Sequence, residues 1–359
     1  MMKKFLIRSN IILIWLALIF CALYCPKWKG FKNKKKSINV FAWGDIFEPS
    51  VISDFEKETG IKIHLSYYSS NEELLVKLKA TRGEGYDLVI PSDYAVSAMI
   101  KEDLLKKLDK SKFAYWNAIN PALLGHFFDP DNNYSIPFEW EIYGFGIDKD
   151  YFDLHPTEPS WAMIFDPKIV NYKITMNNDP IEAIEFASFY LYGMTDHLNP
   201  DQAEEVRQLL IQQRPWVAAY ASFRGDYFLA TKNVAVVVAS TSYILRTQKL
   251  FDFVGFVIPK EGSFITIENI CIPKPSQKED LTFRFINYLC SPKSVATHFK
   301  TYSLFPSTLH NLEELGVDED VLKIMRSTPE ELKKYHFFQN ILPQEEIRDI
   351  WVEIKTRES

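Results

Sequence analysis

Aromatic, hydroxyl and carboxylate side chains fall where the predicted strands of the early chain end. This part alternates between apolar strand-forming runs and helical runs: INVFAW, VISDFEKETG, IKIHLSYY, NEELLVKLKATRG and YDLVIPSDY. The side chains at the ends of the first and third strands are Trp43, Asp45, Ser92 and Tyr94. Open α/β sheets bind their ligands at strand ends. Because carboxylates and ring faces both attract positive charge, these residues predict a site for an organic cation.

Four motifs in the same part of the chain resemble a known family. FAWGD, FEKETGIKI, YDLVIPSDY and DNNYSIPFEW are similar to segments of the spermidine/putrescine-binding proteins of polyamine ABC transporters. The resemblance runs from about Ile38 to the last helix. It implies a two-lobed α/β fold, the type II periplasmic binding protein fold, with the ligand cleft between the lobes. It also implies a monomeric receptor without enzymatic activity that delivers a polyamine to ABC permease subunits in the inner membrane.

The resemblance further implies which residues bind the ligand. Matched position by position, they are Trp43, Asp45, Ser92, Tyr94, Asp179, Glu182, Glu268, Phe305 and Gln339. All four acid positions of the family are therefore filled.

The aromatic positions of the family are filled less completely. Three of them carry Ile46, Ala239 and Thr266, and Phe305 replaces a tyrosine. Each lost ring removes a cation–π or stacking contribution of about 0.5–2 kcal/mol. We therefore expect a linear polyamine, spermidine or putrescine, bound more weakly than by a complete cage and with poor discrimination by length.

Most of these residues could instead have a purely structural role. Asp179 precedes Pro180 at a predicted helix start, where Asp is a favoured N-cap and Glu182 has capping-box spacing. Glu268 is different, because a carboxylate inside the apolar run ITIENICI needs a partner or a solvated cleft. The structural roles open to the remaining residues are core packing for Trp43 and Tyr94, a turn for Ser92 and an ordinary surface position for Gln339.

The charge of the chain is unevenly distributed. The formal net charge is −6, but residues 1–36 hold nine of the 41 Lys and Arg residues and no acid. The remainder therefore has 32 basic and 47 acidic residues, a net charge of −15. An acidic body repels nucleic-acid phosphates and attracts small cations, so binding of DNA or RNA is not expected.

Residues 1–37 are predicted to be a signal or anchor segment. A basic start is followed by a 15-residue apolar run, Ile11–Cys25, and a cluster of lysines. The run is shorter than the roughly 20 residues that span a bilayer, which favours a secretion signal and export. Two fates stay open: release into the periplasm, or retention on the outer face of the inner membrane by an uncleaved helix or a lipid on Cys21 or Cys25.

The pattern beyond the leader predicts two α/β lobes. The first has a helix stop at Gly60, the segment YGFGID opens the second run, and the final helices are expected around EELKKYHFFQ and QEEIRDIWVEIK. Following the family, we expect residues 38–143 and 270–312 in the first lobe and residues 144–269 and 313–359 in the second. Cys271 lies in an apolar strand and Cys290 at the end of an amphipathic helix, so both are expected to be buried free thiols rather than a disulfide.

No motif for a metal or cofactor is present. DPDNN at 129–133 begins like a calcium loop, but Tyr134 stands where that loop needs Gly and Trp140 where it needs Glu. Two other functions remain open: a receptor of the same fold for another organic cation, such as thiamine or a basic amino-acid derivative, and a glycoside hydrolase using Asp179 and Glu182. The spacing of these acids on one helix favours binding of a charge.

Overall fold

The structure is a computed structural model that describes residues 36–44, 46–221 and 225–356, together with 14–15 and 19–20. Most of the predicted leader, with both of its cysteines, lies outside the described residues. So does Asp45. Among the described residues, no helix combines the length and the apolar character needed to cross a bilayer.

The described residues form strands and helices in alternation. The strands are β1 (Ser37–Trp43), β2 (Lys62–Tyr68), β3 (Leu88–Val89), β4 (Ser135–Asp148), β5 (Ile174–Met176), β6 (Val217–Tyr220), β7 (Val236–Ser240), β8 (Val254–Val257), β9 (Ser263–Cys271), β10 (Phe305–Pro306) and β11 (Tyr335–Phe337). The helices are α1 (Pro49–Thr59), α2 (Asn71–Thr81), α3 (Asp93–Lys101), α4 (Lys149–Leu154), α5 (Ala162–Phe165), α6 (Pro180–Tyr192), α7 (Pro200–Gln213), α8 (Gly225–Ala230), α9 (Thr241–Gln248), α10 (Glu279–Leu289), α11 (Pro292–Tyr302), α12 (Glu319–Met325), α13 (Pro329–Leu332) and α14 (Gln344–Thr356).

Local sequence explains where the early helices begin and end. α1 starts with Pro at its first position, where the missing N–H costs nothing. It stops at Gly60, whose φ of 68° is the left-handed conformation that glycine adopts most readily. α2 begins after Ser70, whose side chain accepts the Glu73 amide. The predicted stop at Gly60 is confirmed.

One long strand connects the two halves of the sheet. The strand order is β2-β1-β3-β9-β4-β7-β5-β6. In addition, β8 and β10 pair with β4, and β11 pairs with β9. Residues 135–142 of β4 pair antiparallel with β9, whereas residues 143–148 pair with β7 and β8. β4 therefore passes from one half of the sheet to the other.

The apolar core follows the same division. One cluster surrounds β5 and β7 and includes Trp161 and Phe186. Two others lie around β1–β3 and β9. β4 contributes Phe145 to the first cluster and Trp140 to one of the others. A strand anchored in separate cores suits a connection between lobes.

Three sequence expectations need correction. β3 ends at Val89, so Ser92 is the N-cap residue of α3 and Tyr94 lies in the first turn of that helix, rather than at a strand end. Asp93 explains this, because its Oδ1 accepts the Tyr94 amide at 2.7 Å while Oδ2 accepts the Ile267 amide at 2.9 Å. Residues 335–337, expected in a helix, form β11 and pair with β9. The chain YGFGID continues β4 instead of opening a new segment.

The proposed lobe boundaries stay a prediction. α14 packs its Ile347, Ile350 and Ile354 into the core that contains Phe186. α12 and α13 join the core that contains Trp140. Asn120 ties α12 to the early chain by donating to the carbonyl oxygens of Met325 and Ser327 at 3.0 and 3.1 Å.

Both remaining cysteines are buried free thiols, as predicted. Burial raises the pKa of each thiol well above its ordinary value. They therefore act as small apolar side chains in the core.

Candidate functional site

Three predicted ligand-binding residues meet at one carboxylate. Glu268, on β9, accepts a hydrogen bond from Trp43 Nε1 at 2.8 Å on one oxygen and from Ser92 Oγ at 2.7 Å on the other. Trp43 is the last residue of β1, and Ser92 bridges to Glu268 through the backbone. We call Trp43, Ser92 and Glu268 the Glu268 centre. The end of β1 and the N-cap position of α3 thus provide two donors to a carboxylate in an otherwise apolar strand.

The carboxylate of this centre has no positive partner among its described hydrogen bonds. Burial raises the pKa of Glu268 well above its ordinary value; Asp93 and Glu141 raise it further, and the bonds from Ser92 and Trp43 oppose the rise. Burial also raises the pKa of Asp93, to about 7. An incoming cation would relieve both the desolvation and the repulsion.

Two further predicted residues meet at the start of α6. Asp179 is its N-cap, with Oδ1 accepting the amides of Ile181 and Glu182 at 2.9 and 3.1 Å. The N-cap interpretation is therefore confirmed. The capping-box role of Glu182 is not what the structure shows: its oxygens accept from Tyr143 Oη, at 2.7 Å, and from Asn177 Nδ2. We call Asp179, Glu182, Tyr143 and Asn177 the α6 centre.

The two acids of the α6 centre repel each other. Burial, and next the charge of Asp179, raise the pKa of Glu182 to about 8. Burial also raises the pKa of Asp179, and Glu72 adds to the effect while the two capping amides oppose it. The ligand-free centre therefore retains a proton near neutral pH that a bound cation would displace.

Tyr94 brings the early chain close to the α6 centre. Its hydroxyl donates to Glu72 Oε1 at 3.2 Å, which joins α3 to α2. Burial raises the pKa of the Tyr94 hydroxyl well above its ordinary value, and the charges of Glu72 and Asp179 contribute. Acids from both halves of the sheet are thus near enough to interact.

Sequence reasoning missed Glu141 and Tyr143, both on β4. Glu141 lies opposite Thr266 in the β4–β9 register, and its charge raises the pKa of both Glu268 and Glu182. The motif FEWE could have revealed Glu141, because its two acids are alternate residues of a strand and therefore share a face. Glu141 therefore belongs with Thr266 and Glu268 on one polar face of the β4–β9 pair.

Two predicted residues lie away from these contacts, and a third cannot be placed. Phe305 has no exposed surface and packs edge-on against Trp140, with ring centroids 5.1 Å apart. Gln339 donates through its side-chain amide to the Thr195 carbonyl oxygen and to Asp196 Oδ1, at 3.3 and 3.2 Å. Asp45 lies outside the described residues. Their ligand-binding roles stay predictions.

The arrangement can bind positive charge at more than one point. Acids stand at the Glu268 centre, at Glu141 and at the α6 centre, with aromatic surface at Trp43 and Tyr94. Within the described ranges, no group of three or more His, Cys, Asp or Glu side chains is placed to hold a metal ion. Separated carboxylates on a half-buried surface suit an elongated organic cation better than a point charge.

A family model for bacterial extracellular solute-binding proteins matches residues 50–321. The chain belongs to this family. The putrescine-binding periplasmic protein SpuD of Pseudomonas aeruginosa is 31% identical over 278 residues, 73% of this chain and 75% of that protein. The spermidine/putrescine-binding periplasmic protein of Escherichia coli K12 is 31% identical over 264 residues, 72% of this chain and 74% of that protein.

Solved structures confirm the fold class. A putative spermidine/putrescine ABC transporter protein of Listeria monocytogenes has a TM-score of 0.76 at 27% identity, covering 89% of this chain and 99% of that chain. The spermidine/putrescine substrate-binding protein PotD of Streptococcus pneumoniae has a TM-score of 0.74 at 25% identity, covering 89% and 98%. The predicted two-lobed periplasmic binding protein fold is therefore confirmed, and the protein is a solute-binding protein.

Proposed function

We propose that the protein is the extracytoplasmic receptor of an ABC importer and that it binds a linear polyamine, spermidine or putrescine. The observation that carries the proposal is the pair of acidic centres, one at Glu268 and one at the start of α6. An ammonium group at each centre would compensate carboxylates that have no positive hydrogen-bonding partner among the residues that the structure describes. Relatives named as putrescine- and spermidine-binding proteins support the same ligand class.

The chemistry of each centre suits one end of such a ligand. At the Glu268 centre both oxygens already accept neutral donors, which fixes the carboxylate in position for an ammonium group. At the α6 centre two acids lie within one helical turn, so their combined charge can hold the other ammonium. The Trp43 and Tyr94 rings offer apolar surface for methylenes between the charges.

The proposed physiology follows from the family. The receptor acts as a monomer without catalytic activity, captures the polyamine in the periplasm and delivers it to permease subunits in the inner membrane. Its leader exports it and either releases it or holds it at the outer face of that membrane. The acidic body favours small cations and disfavours nucleic acid.

A thermal-shift titration tests the ligand class. A ligand that binds only the folded state stabilises it by RT ln(1 + [L]/Kd), about 2.7 kcal/mol at one hundred times Kd. We expect shifts with putrescine, cadaverine, spermidine and spermine, and none with lysine or arginine at the same concentration. A clear shift with thiamine or an amino acid, with none from any polyamine, would replace the ligand class and leave the fold unaffected.

A further inference from the structure

Glu141 is the residue of the acidic face whose role the contacts leave unexplained. Its Oε2 atom is buried and has no hydrogen-bond partner among the described residues. The interactions that most favour its ionised form are with the Ser240 and Ser242 hydroxyls, followed by the charge of Arg246. A buried carboxylate oxygen without a partner is costly, unless something outside the protein binds it.

The register of β4 and β9 places Glu141 between the two centres. Glu141 faces Thr266 across the strand pair, and Glu268 follows two residues later on the same face of β9. Such a diagonal pair is separated by roughly 7–8 Å. In the other direction Tyr143 follows on the same face of β4, and its hydroxyl reaches Glu182. Three acids from different elements, Glu268 on β9, Glu141 on β4 and Glu182 on α6, thus follow one another in space in the direction of β4. We call them the acid row.

A second acid on the same strand, Glu139, has a basic partner within the protein and can be compared with Glu141. Glu139 lies two residues before Glu141 and is directly opposite Glu268 in the register. It is buried, and its Oε1 contacts His298 Nδ1 on α11. Its Oε2 also has no hydrogen-bond partner among the described residues, but the carboxylate as a whole has a basic side chain in direct contact. Glu141 has two neutral hydroxyls and the charge of Arg246 as favourable partners, and Oε2 accepts no hydrogen bond among the described residues, which leaves that oxygen able to bind a cation.

The aromatic residues that this chain lacks leave space beside Glu141 for a ligand. Thr266, opposite Glu141, stands where the family resemblance implies an aromatic residue, and Ala239 stands at another such position next to Ser240. A charge consequently replaces ring surface in the middle of the site. Ring surface suits methylenes, whereas a carboxylate suits a nitrogen.

We propose that Glu141 binds an interior ammonium group of the ligand, so that the site selects triamines and longer polyamines over diamines. This inference rests on the proposed function. Terminal ammonium groups occupy the Glu268 and α6 centres, and the interior secondary ammonium pairs with Glu141 Oε2. A diamine leaves that oxygen without a partner.

Spermidine and 1,8-diaminooctane provide the test, because they have the same chain length and differ only in the interior nitrogen. Calorimetry on the unmodified protein should show about tenfold tighter binding of spermidine. Glu141→Gln should reduce that ratio to within about twofold, mainly by weakening spermidine. Glu141→Asp, which keeps the charge, should retain most of the preference.

Glu139→Gln is the matched control, a buried acid on the same strand whose replacement should leave the ratio unchanged. Should Glu141→Gln fail to fold, Glu141→Ser provides the same ratio from a smaller neutral side chain. An unaltered preference for spermidine in the neutral variants, or equally weakened binding of both ligands, would overturn the inference. Glu141 would then be a structural acid whose charge Arg246 compensates. Absence of binding by either ligand to the unmodified protein would instead reject the proposed function.

Discussion

The Glu268 centre and the α6 centre bind charge in different ways. Glu268 is a single carboxylate whose two oxygens accept from neutral donors, Trp43 at the end of β1 and Ser92 at the N-cap of α3. The α6 centre has two acids within one turn, and one of them also caps the helix. The first centre places one acid in a fixed geometry, whereas the second holds two acids that repel each other. One end of the site should therefore determine position, and the other should lose its internal repulsion when an ammonium group binds.

Backbone structure accounts for the contrast. A strand end and a helix N-cap belong to separate segments whose side chains can point toward one place, so two donors converge on Glu268. A helix start instead presents backbone amides that have no partner within the helix. Asp179 accepts hydrogen bonds from two of these amides, and their positive ends favour a negative charge nearby. The Glu182 carboxylate lies near that of Asp179, so burial and the repulsion between the two acids raise the pKa of Glu182 to about 8.

The largest expected effect comes from replacing the single acid of the Glu268 centre. Glu268→Gln should weaken polyamine binding by about 1.5–3 kcal/mol, roughly ten- to a hundredfold, the cost of losing a charge-assisted hydrogen bond. The fold should persist, because an amide oxygen can still accept from Trp43 Nε1 while the amide nitrogen donates to Ser92 Oγ. Calorimetry gives the affinity and urea unfolding gives the stability.

Glu139→Gln is again the useful control, since it neutralises a buried acid opposite Glu268 that His298 already contacts. It should leave affinity nearly unchanged even if stability falls. Equal affinity of the Glu268→Gln variant and the unmodified protein would remove Glu268 from the site.

The second effect is a dependence of affinity on pH through Glu182. Its pKa of about 8 in the ligand-free protein means that it is mostly protonated at pH 7, whereas a bound ammonium favours the carboxylate. Binding should therefore release a proton, and affinity should fall by up to about tenfold for each pH unit below about 8. Calorimetry in buffers of different ionisation enthalpy measures the proton release.

The matched variant for this effect is Glu182→Gln, which cannot release that proton. It should bind more weakly at pH 8 but lose much of the pH dependence. A slope as steep as that of the unmodified protein would transfer the linkage to another acid of the acid row, such as Glu141.

Local signals predicted much of the fold. Gly60 and Pro180 mark helix boundaries through their own backbone preferences, and the resulting elements match the structure closely. Tyr94 was misplaced because Asp93 binds the Ile267 amide, a contact spanning 174 residues that no local pattern reveals. Glu141 was missed for a similar reason, since its position depends on pairing with β9. Residues acting through long-range register are therefore the least predictable part of the site.

A smaller effect is expected from restoring ring surface. Thr266→Trp should tighten polyamine binding by about 0.5–2 kcal/mol, because an aromatic face would contact methylenes and ammonium groups beside Glu268. Thr266 is partly exposed and lies opposite Glu141, so the ring has a polar surface to cover rather than a filled core. Thr266→Leu is the control for added apolar bulk without a π face. Weaker binding in the Trp variant would indicate that the ring displaces Glu141.

The smallest effect should separate the two roles of Asp179. Asn caps helices about as well as Asp, so Asp179→Asn should keep the bonds from the Ile181 and Glu182 amides and change the free energy of unfolding by less than about 1 kcal/mol. Asp179→Ala loses the cap and should cost about 0.5–2 kcal/mol. Because two amides already occupy Oδ1, neutralising Asp179 should weaken binding less than neutralising Glu268, and it should lower the pKa of Glu182 by removing the nearest like charge. Calorimetry of Asp179→Asn across pH checks both statements. A loss as large as that of Glu268→Gln would mean that the α6 centre, too, depends on a single acid, and the contrast between the two centres would not hold.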